Sequence, residues 1–256
     1  MSDNPIKTAL VTGAGRRIGR SIALDLARHG WSVGVHYRTA AAEAAETVSE
    51  IQALGMRAIA LEADLARDAE ALGLVDRAKA ALGPITCLVN SAAQFEPDSV
   101  ESATRASWDF HLETNLRAPF VLTQGLARQL PAEEPGNVIH LLDQRVWNLT
   151  PFFVSYTVSK SALWTLTRTL ALALAPQIRV NAIGPGPTLR STRQTQDDFT
   201  RQWNSTPLRR GTTPEEIAET VRFILSARAM TGQMIALDGG QHLGPSRPGP
   251  RAATPE

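Results

Sequence analysis

Residues 8–30 read TALVTGAGRRIGRSIALDLARHG. A short apolar run, TALVTG, passes through glycines into a helical pattern at 17–29. A brief β-rich run closed by turn residues marks a buried strand. A strand, a glycine-rich turn and a helix, in that order, make a cradle for a pyrophosphate. The backbone N–H groups of the turn and the helix N-terminus all point at the anion. Gly13 permits the tight turn, and Gly19 lets the helix approach the strand. Such a turn carries weight because it stands between the first strand and the first helix.

The same alternation runs along the chain. Strand candidates are 8–13, 32–37, 58–64, 86–92, 137–143, 178–186 and 234–240. Helical patterns lie between them at 17–29, 40–54, 68–81, about 104–130, 154–175 and 214–227. The last has Thr213 as N-cap, Pro214 at the first helical position and acids after it. Strands alternating with helices predict a single-domain, Rossmann-like, doubly wound parallel sheet of seven strands with helices on both faces. The domain is expected over 1–244. It includes a substrate loop at 187–212, which lacks strong periodicity and follows a strand's carboxyl end, where ligands bind in such sheets. The stretch 245–256, rich in Pro, Gly and small polar residues, is expected to be a disordered tail.

Bulk composition narrows the class. The chain has 256 residues, 43 % hydrophobic and 20 % charged, with a formal net charge of +1. That charge gives no basic field for nucleic acid or an anionic membrane. The N-terminus has no signal-peptide pattern, and no apolar run is long enough for a bilayer, so a cytoplasmic protein is expected. Cys87 has no possible disulfide partner in the chain and reads as a small buried hydrophobe. Histidines at 29, 36, 111, 140 and 242 lack metal-ligand spacing, and no metal site is expected. The helix VSYTVSKSALWTLTRTLALALA is apolar on more than one face. This predicts a homo-oligomer, with a tetramer favoured.

The second strand ends in VGVHYRTAA. NAD sites of this kind place an acid here for the ribose hydroxyls. This chain offers His36, Tyr37, Arg38 and Thr39, with Arg16 and Arg17 in the first turn. Arg38 can pair with a 2′-phosphate and Thr39 can donate to it, so NADPH is the expected cofactor. Asp64 and Leu65 follow the third strand, where the carboxylate would meet the adenine amino group; Asn90, Ser91 and Ala92 follow the fourth.

The segment 137–160, NVIHLLDQRVWNLTPFFVSYTVSK, ends in Tyr-x-x-x-Lys on a helix. Residues four apart share a helix face. A phenol has an ordinary pKa of about 10, and a neighbouring ammonium lowers it. Tyr156 therefore reads as a proton donor, with Lys160 tuning it and binding the cofactor ribose.

Over about residues 6 to 244 the chain resembles a short-chain dehydrogenase/reductase. The matching elements are TGAGRRIG, Asp64-Leu65, NSAA at 90–93, Asn115 in HLETNLRAPF, Tyr156/Lys160, Gly-Pro-Gly at 184–186 and LDGG at 237–240. The resemblance implies a water-linked proton relay to Lys160 supported by Asn115, with Ile18, Pro185, Gly186 and Thr188 at the cofactor. Three departures carry finer information. Arg17 replaces the usual middle glycine of the first turn, Asp143 stands at the usual catalytic serine, and Gln94-Phe95 follow the fourth-strand motif. All three resemble the pteridine reductase branch, including dihydromonapterin reductases. That likeness implies that Arg17 reaches pyrophosphate and pterin, that Phe95 stacks on the pterin and that Asp143 works with Tyr156.

Physical chemistry points the same way. A ketone develops an alkoxide, which a serine hydroxyl stabilises and a carboxylate would repel. A dihydropterin presents ring N–H and amino donors and needs a proton on nitrogen, which an acid beside a phenol can relay. The expected function is therefore NADPH-dependent reduction of a dihydropterin. Two readings stay open: a carbonyl reductase of the same fold, and a non-catalytic NADPH-binding protein.

Overall fold

The computed structural model describes residues 6–244. Residues 1–5 and the expected tail at 245–256 lie outside the described residues. The strands are β1 Thr8–Val11, β2 Ser32–Tyr37, β3 Ala58–Glu62, β4 Cys87–Asn90, β5 Gly136–Leu141, β6 Ile178–Pro185 and β7 Met234–Leu237. They form one seven-stranded sheet in the order β3-β2-β1-β4-β5-β6-β7. Every pairing is parallel. The strand order reverses between β1 and β4, which opens a crevice at their carboxyl ends.

The helices are α1 Arg17–Arg28, α2 Ala41–Ala53, α3 Asp68–Leu82, α4 Arg105–Leu112, α5 Ala118–Gln129, α6 Val154–Leu174, α7 Gln196–Asn204 and α8 Pro214–Ser226. Ile22 and Leu26 of α1, Ile51 of α2 and Val221 and Ile224 of α8 pack on one face of the sheet. Leu74 of α3, Leu122 and Leu126 of α5 and Leu170 of α6 pack on the other. Each of the larger side chains, fully withdrawn from water, contributes about 1.5–3 kcal/mol. Cys87 is completely buried, and burial pushes its thiol up to about 12.

Several expected boundaries shift. The strands expected to reach 64, 92, 143 and 240 end at Glu62, Asn90, Leu141 and Leu237, because the residues beyond leave the ladder. The helix expected over about 104–130 is interrupted at Glu113–Arg117 by one turn of wider π-helix, and that turn carries Asn115. The substrate segment 187–212 is not a plain loop. It holds α7, whose Thr195 and Asp198 form a reciprocal capping box. The α8 start is as expected: Thr213 accepts from the Glu216 N–H at 3.2 Å, and Glu216 accepts from the Thr213 N–H at 2.9 Å. Among the described residues no helix is long and apolar enough to cross a membrane.

Candidate active site

A cleft of about 790 Å³ runs along the carboxyl ends of the strands. At one end is the first turn. Gly13 has φ +67°, a conformation that suits glycine, and a Cβ on Gly19 would lie 2.3 Å from the Gly13 carbonyl oxygen. This close approach keeps the turn open for a pyrophosphate. Arg17 also sits in the left-handed region, at φ 56°, where glycine pays least. Its guanidinium donates to the carbonyls of Arg190 at 3.1 Å and Leu189 at 3.2 Å. The side chain expected on the pterin thus ties the first turn to the segment after β6, while still lining the cleft.

Arg16, Ile18, Tyr37, Arg38, Thr39, Asp64, Leu65, Ser91, Ala92, Pro185, Gly186 and Thr188 all line the same cleft. Arg38 and Thr39 are exposed at its rim, and Arg38 has no ion-pair partner among the described residues. No acid stands on the end of β2, so the rim suits a 2′-phosphate. Asp64 accepts from the Ala66 N–H at 3.1 Å, and Thr188 donates to the Gly186 carbonyl at 3.0 Å.

Three expected site residues work differently. His36 is buried at the cleft floor. Its Nδ1 accepts from the Gly13 N–H at 3.0 Å, and its Nε2 contacts the Ala63 carbonyl at 3.0 Å. Both ring nitrogens are spent on backbone, so His36 braces the turn rather than holding a phosphate. Burial pushes it down to about 4, and it stays neutral. Asn90 does not line the cleft; its amide nitrogen contacts His140 Nδ1 at 3.1 Å beneath it. Asn115 is fully buried, with its amide given to the Gln94 carbonyl at 3.0 Å and to Ser159 Oγ at 3.1 Å. It also accepts from the Gln94 N–H at 2.8 Å. Its side chain therefore holds the segment before Phe95 in place.

The chemical end brings Asp143 and Tyr156 together. The Tyr156 hydroxyl donates to Asp143 Oδ2 at 2.9 Å. The other carboxylate oxygen accepts from the Arg145 N–H at 2.9 Å. Removal from bulk water pushes the Asp143 carboxyl up. The Arg145 N–H and guanidinium, the Tyr156 hydroxyl and the Lys160 ammonium each oppose that shift without cancelling it. Tyr156 corrects the expectation of a lowered phenol: burial, then the Asp143 charge, hold it well above its ordinary range. The phenol is a neutral donor. Lys160 Nζ donates to the Leu141 carbonyl at 2.7 Å and lies 5.9 Å from the Tyr156 ring centroid. Burial brings Lys160 down to about 8, with Asp143 opposing.

Phe95 stands beside this pair, its ring 4.7 Å from the Tyr156 ring and edge-on to it. The stacking partner of Phe95 is Phe153, 4.5 Å away and parallel within 3°. The expected flat wall is thus a pair of rings with one face already covered. Arg145 lies 4.9 Å over Phe153, and Arg193 lies 5.5 Å over Phe95. Arg193 also donates to the Phe95 carbonyl at 2.6 Å and pairs with Glu96 at 2.7 Å, joining the 187–212 segment to the 94–96 segment. Arg145, Phe153, Arg193 and Phe199 line the cleft without having been singled out by sequence. For Arg145 and Phe153 the signal was their place between Asp143 and Tyr156. Trp147 and Trp203 do not line it; they pack on Trp164 and Phe199.

Residues 13–242 match the family model described as Enoyl-(Acyl carrier protein) reductase. The 3-oxoacyl-[acyl-carrier-protein] reductase FabG of Staphylococcus epidermidis is 34 % identical over 242 residues, spanning 93 % of this chain and 99 % of the relative. Among solved structures, FolM Alternative dihydrofolate reductase 1 from Brucella suis in complex with NADP has a TM-score of 0.91 at 47 % identity, covering 94 % of this chain and 97 % of that one. The Brucella canis protein of the same name, also with NADP, has a TM-score of 0.89 at 45 % identity, covering 94 % and 96 %.

Proposed function

We propose a dihydropterin as the substrate of this chain, which belongs to the short-chain dehydrogenase/reductase family of NADP-dependent oxidoreductases. The cofactor is NADPH, held by the Gly13–Gly19 turn, by Arg38 and Thr39 at the 2′-phosphate, and by Lys160. When bound it supplies the hydride. The product is the tetrahydropterin, from a substrate of the dihydrobiopterin, dihydromonapterin or dihydrofolate type.

The observation that carries this reading is the Tyr156–Asp143 hydrogen bond at the cleft. A proton held between a neutral phenol and a carboxyl of raised pKa is available to a ring nitrogen. Asp143 Oδ2 also offers an acceptor to ring N–H and amino donors. An alkoxide forming at the same place would meet a carboxylate instead of a donor. Phe95 and Phe153 supply the aromatic wall for a flat bicycle, and the two FolM structures named as dihydrofolate reductases support the same substrate class.

A second reading, a carbonyl reductase, is favoured by the FabG relative. The two separate in one experiment. NADPH oxidation is measured with dihydrobiopterin, dihydromonapterin and dihydrofolate, beside a 3-oxoacyl thioester and small ketones. The panel is then repeated with Asp143→Ser. Turnover of pterins that falls about 10²–10⁴-fold in the variant, the range of lost acid–base catalysis, supports the pterin reading. Turnover of carbonyl substrates alone, or improved by the serine, supports the other.

A homo-oligomer, a tetramer by preference, belongs to the same proposal. On α6, Val158 is 39 % exposed and Leu172 84 % exposed in the single chain. Light scattering after gel filtration tests it; a monomer at working concentration rejects it.

A further inference from the structure

Behind the aromatic wall lies a buried polar network that the proposed chemistry does not use. His111 of α4 is fully buried. Its Nε2 accepts from the Glu96 N–H at 3.0 Å. A backbone N–H can only donate, so Nε2 is bare and the ring proton is on Nδ1. Nδ1 lies 2.7 Å from Ser155 Oγ and 3.0 Å from the Ser107 carbonyl. Ser155 Oγ donates in turn to Asp98 Oδ2, to which Ser107 Oγ also donates at 3.3 Å.

Asp98 acts as the cap of the catalytic helix. The residue preceding α6, Phe153, has φ 59° and no side-chain cap of its own. The Asp98 carbonyl accepts from the Phe153 N–H at 2.7 Å, and Asp98 Oδ1 accepts from the Ser155 N–H at 3.2 Å. These satisfy donors that a helix start leaves open, with negative charge at the positive end of the helix dipole. Burial opposes the Asp98 charge. The bonds from Ser155 and Ser107 outweigh it, so the carboxyl stays below its ordinary range.

One hydrogen-bonded chain therefore links three pieces of the substrate wall: Phe95, next to Glu96; Phe153, held by Asp98; and Tyr156, next to Ser155. We infer that His111 is a positioning residue that, as a neutral imidazole, ties the Phe95 segment to the start of α6 and so sets the gap between the aromatic wall and the Tyr156 hydroxyl. For the identity of the substrate in that gap, the inference rests on the pterin reading. His111 touches neither substrate nor cofactor; it does not line the cleft.

The device works in one protonation state. A proton on Nε2 would set donor against donor at the Glu96 N–H and release the Phe95 segment. The groups facing His111 are the carboxylates of Asp98 and Glu96, the Tyr156 ring 6.0 Å away and Phe110 of its own helix; Arg193 pairs with Glu96. Burial, the largest influence, keeps His111 below the ordinary histidine value of 6.5 despite the two carboxylates.

The test uses the full chain with His111→Ala and His111→Gln. Glutamine keeps an acceptor near the Nε2 position and does not titrate. Four quantities are read: dihydropterin KM and kcat, NADPH Kd by fluorescence, and hydrogen exchange at the Glu96 amide, which needs no substrate. In His111→Ala the dihydropterin KM is expected to rise about tenfold, the scale of one buried hydrogen bond. The NADPH Kd is expected to hold, and the Glu96 amide to lose protection. In His111→Gln, KM and protection return to near the wild-type values. In the wild type, protection at Glu96 is expected to fall and the dihydropterin KM to rise on the acid side, as the imidazole takes up its proton, and neither change is expected in His111→Gln. An unchanged KM and an unchanged Glu96 amide in His111→Ala would overturn the inference. So would loss of NADPH binding along with KM, which marks general damage. If His111→Ala does not fold, wild-type exchange and the glutamine variant decide. If the wild type turns over no dihydropterin, the substrate reading fails, and exchange at Glu96 alone decides the role of His111.

Discussion

Lys160 carries a cost that can be measured. Only 3 % of it is exposed, and burial brings its ammonium from the ordinary 10.5 down to about 8. Below pH 8 the lysine is charged in both folded and unfolded chains, and the folded state bears the whole desolvation penalty. Between pH 8 and 10.5 the unfolded chain keeps its proton while the folded one has released it. Stability rises with pH wherever the unfolded state binds more protons. The gap corresponds to about 3 kcal/mol, gained at about 1.4 kcal/mol per pH unit. Lys160→Met keeps the length and apolar stem and removes the titration. The bond to the Leu141 carbonyl is lost, an offset of about 1 kcal/mol that does not change the slope. The assay is urea or thermal unfolding of both proteins, without cofactor, from pH 7 to pH 10. Relative to the variant, the wild type is expected to gain about 6 to 12 °C in Tm across the titration, at about 2 to 4 °C per kcal/mol for a chain of this size. Parallel curves would refute the buried, depressed lysine, and with it the account of how Lys160 is placed.

Other substitutions test the cleft piece by piece. Gly19→Ala brings a Cβ to 2.3 Å from the Gly13 carbonyl oxygen, so it is expected to cost about 1–3 kcal/mol and to weaken NADPH binding, read by thermal melting and fluorescence titration. Arg38→Asp places a carboxylate where the 2′-phosphate is expected. NADPH affinity should fall roughly ten- to a hundredfold while NADH improves, measured as the ratio of the two dissociation constants. Arg193→Ala removes an exposed ion pair worth about 0–1 kcal/mol, so Tm should hold. Its bond to the Phe95 carbonyl is also lost, and a rise in dihydropterin KM without a change in NADPH Kd is the expected signature.

The layers of this protein and the axis of its chemistry are written in the order of its residues. Strand–helix alternation is a local signal: a buried strand and its flanking helix each write their own periodicity into the chain. The β1 turn, the absent acid after β2 and the Tyr156/Lys160 pair, four residues apart on α6, were legible because each lies within one element or its junction. Asp143 was legible by its place at the end of β5, thirteen residues before Tyr156.

The neighbours of those residues follow from how the elements pack. Sheet order brings the β4 end beside β1 and β5, and there Asn90 turns below the cleft to His140 while Ser91 and Ala92 face into it. Strand ends give no sign of which side chain faces the ligand once the ladder stops. Position alone places His36 at the cofactor and Asn115 in a proton relay; both also satisfy buried backbone groups, and that demand appears only when the backbone is folded. The direction of the Tyr156 shift depended on the same thing. A lysine four residues along the helix predicts a lowered phenol, but burial and the carboxylate of Asp143 raise it, and the cation that opposes them is Arg145. The Glu96–His111–Ser155–Asp98 chain joins three segments across 59 residues of sequence, with no periodicity to announce it. Periodicity records which face of an element is apolar. The partners of a buried polar group depend on distances between elements, and those exist only in the packed molecule.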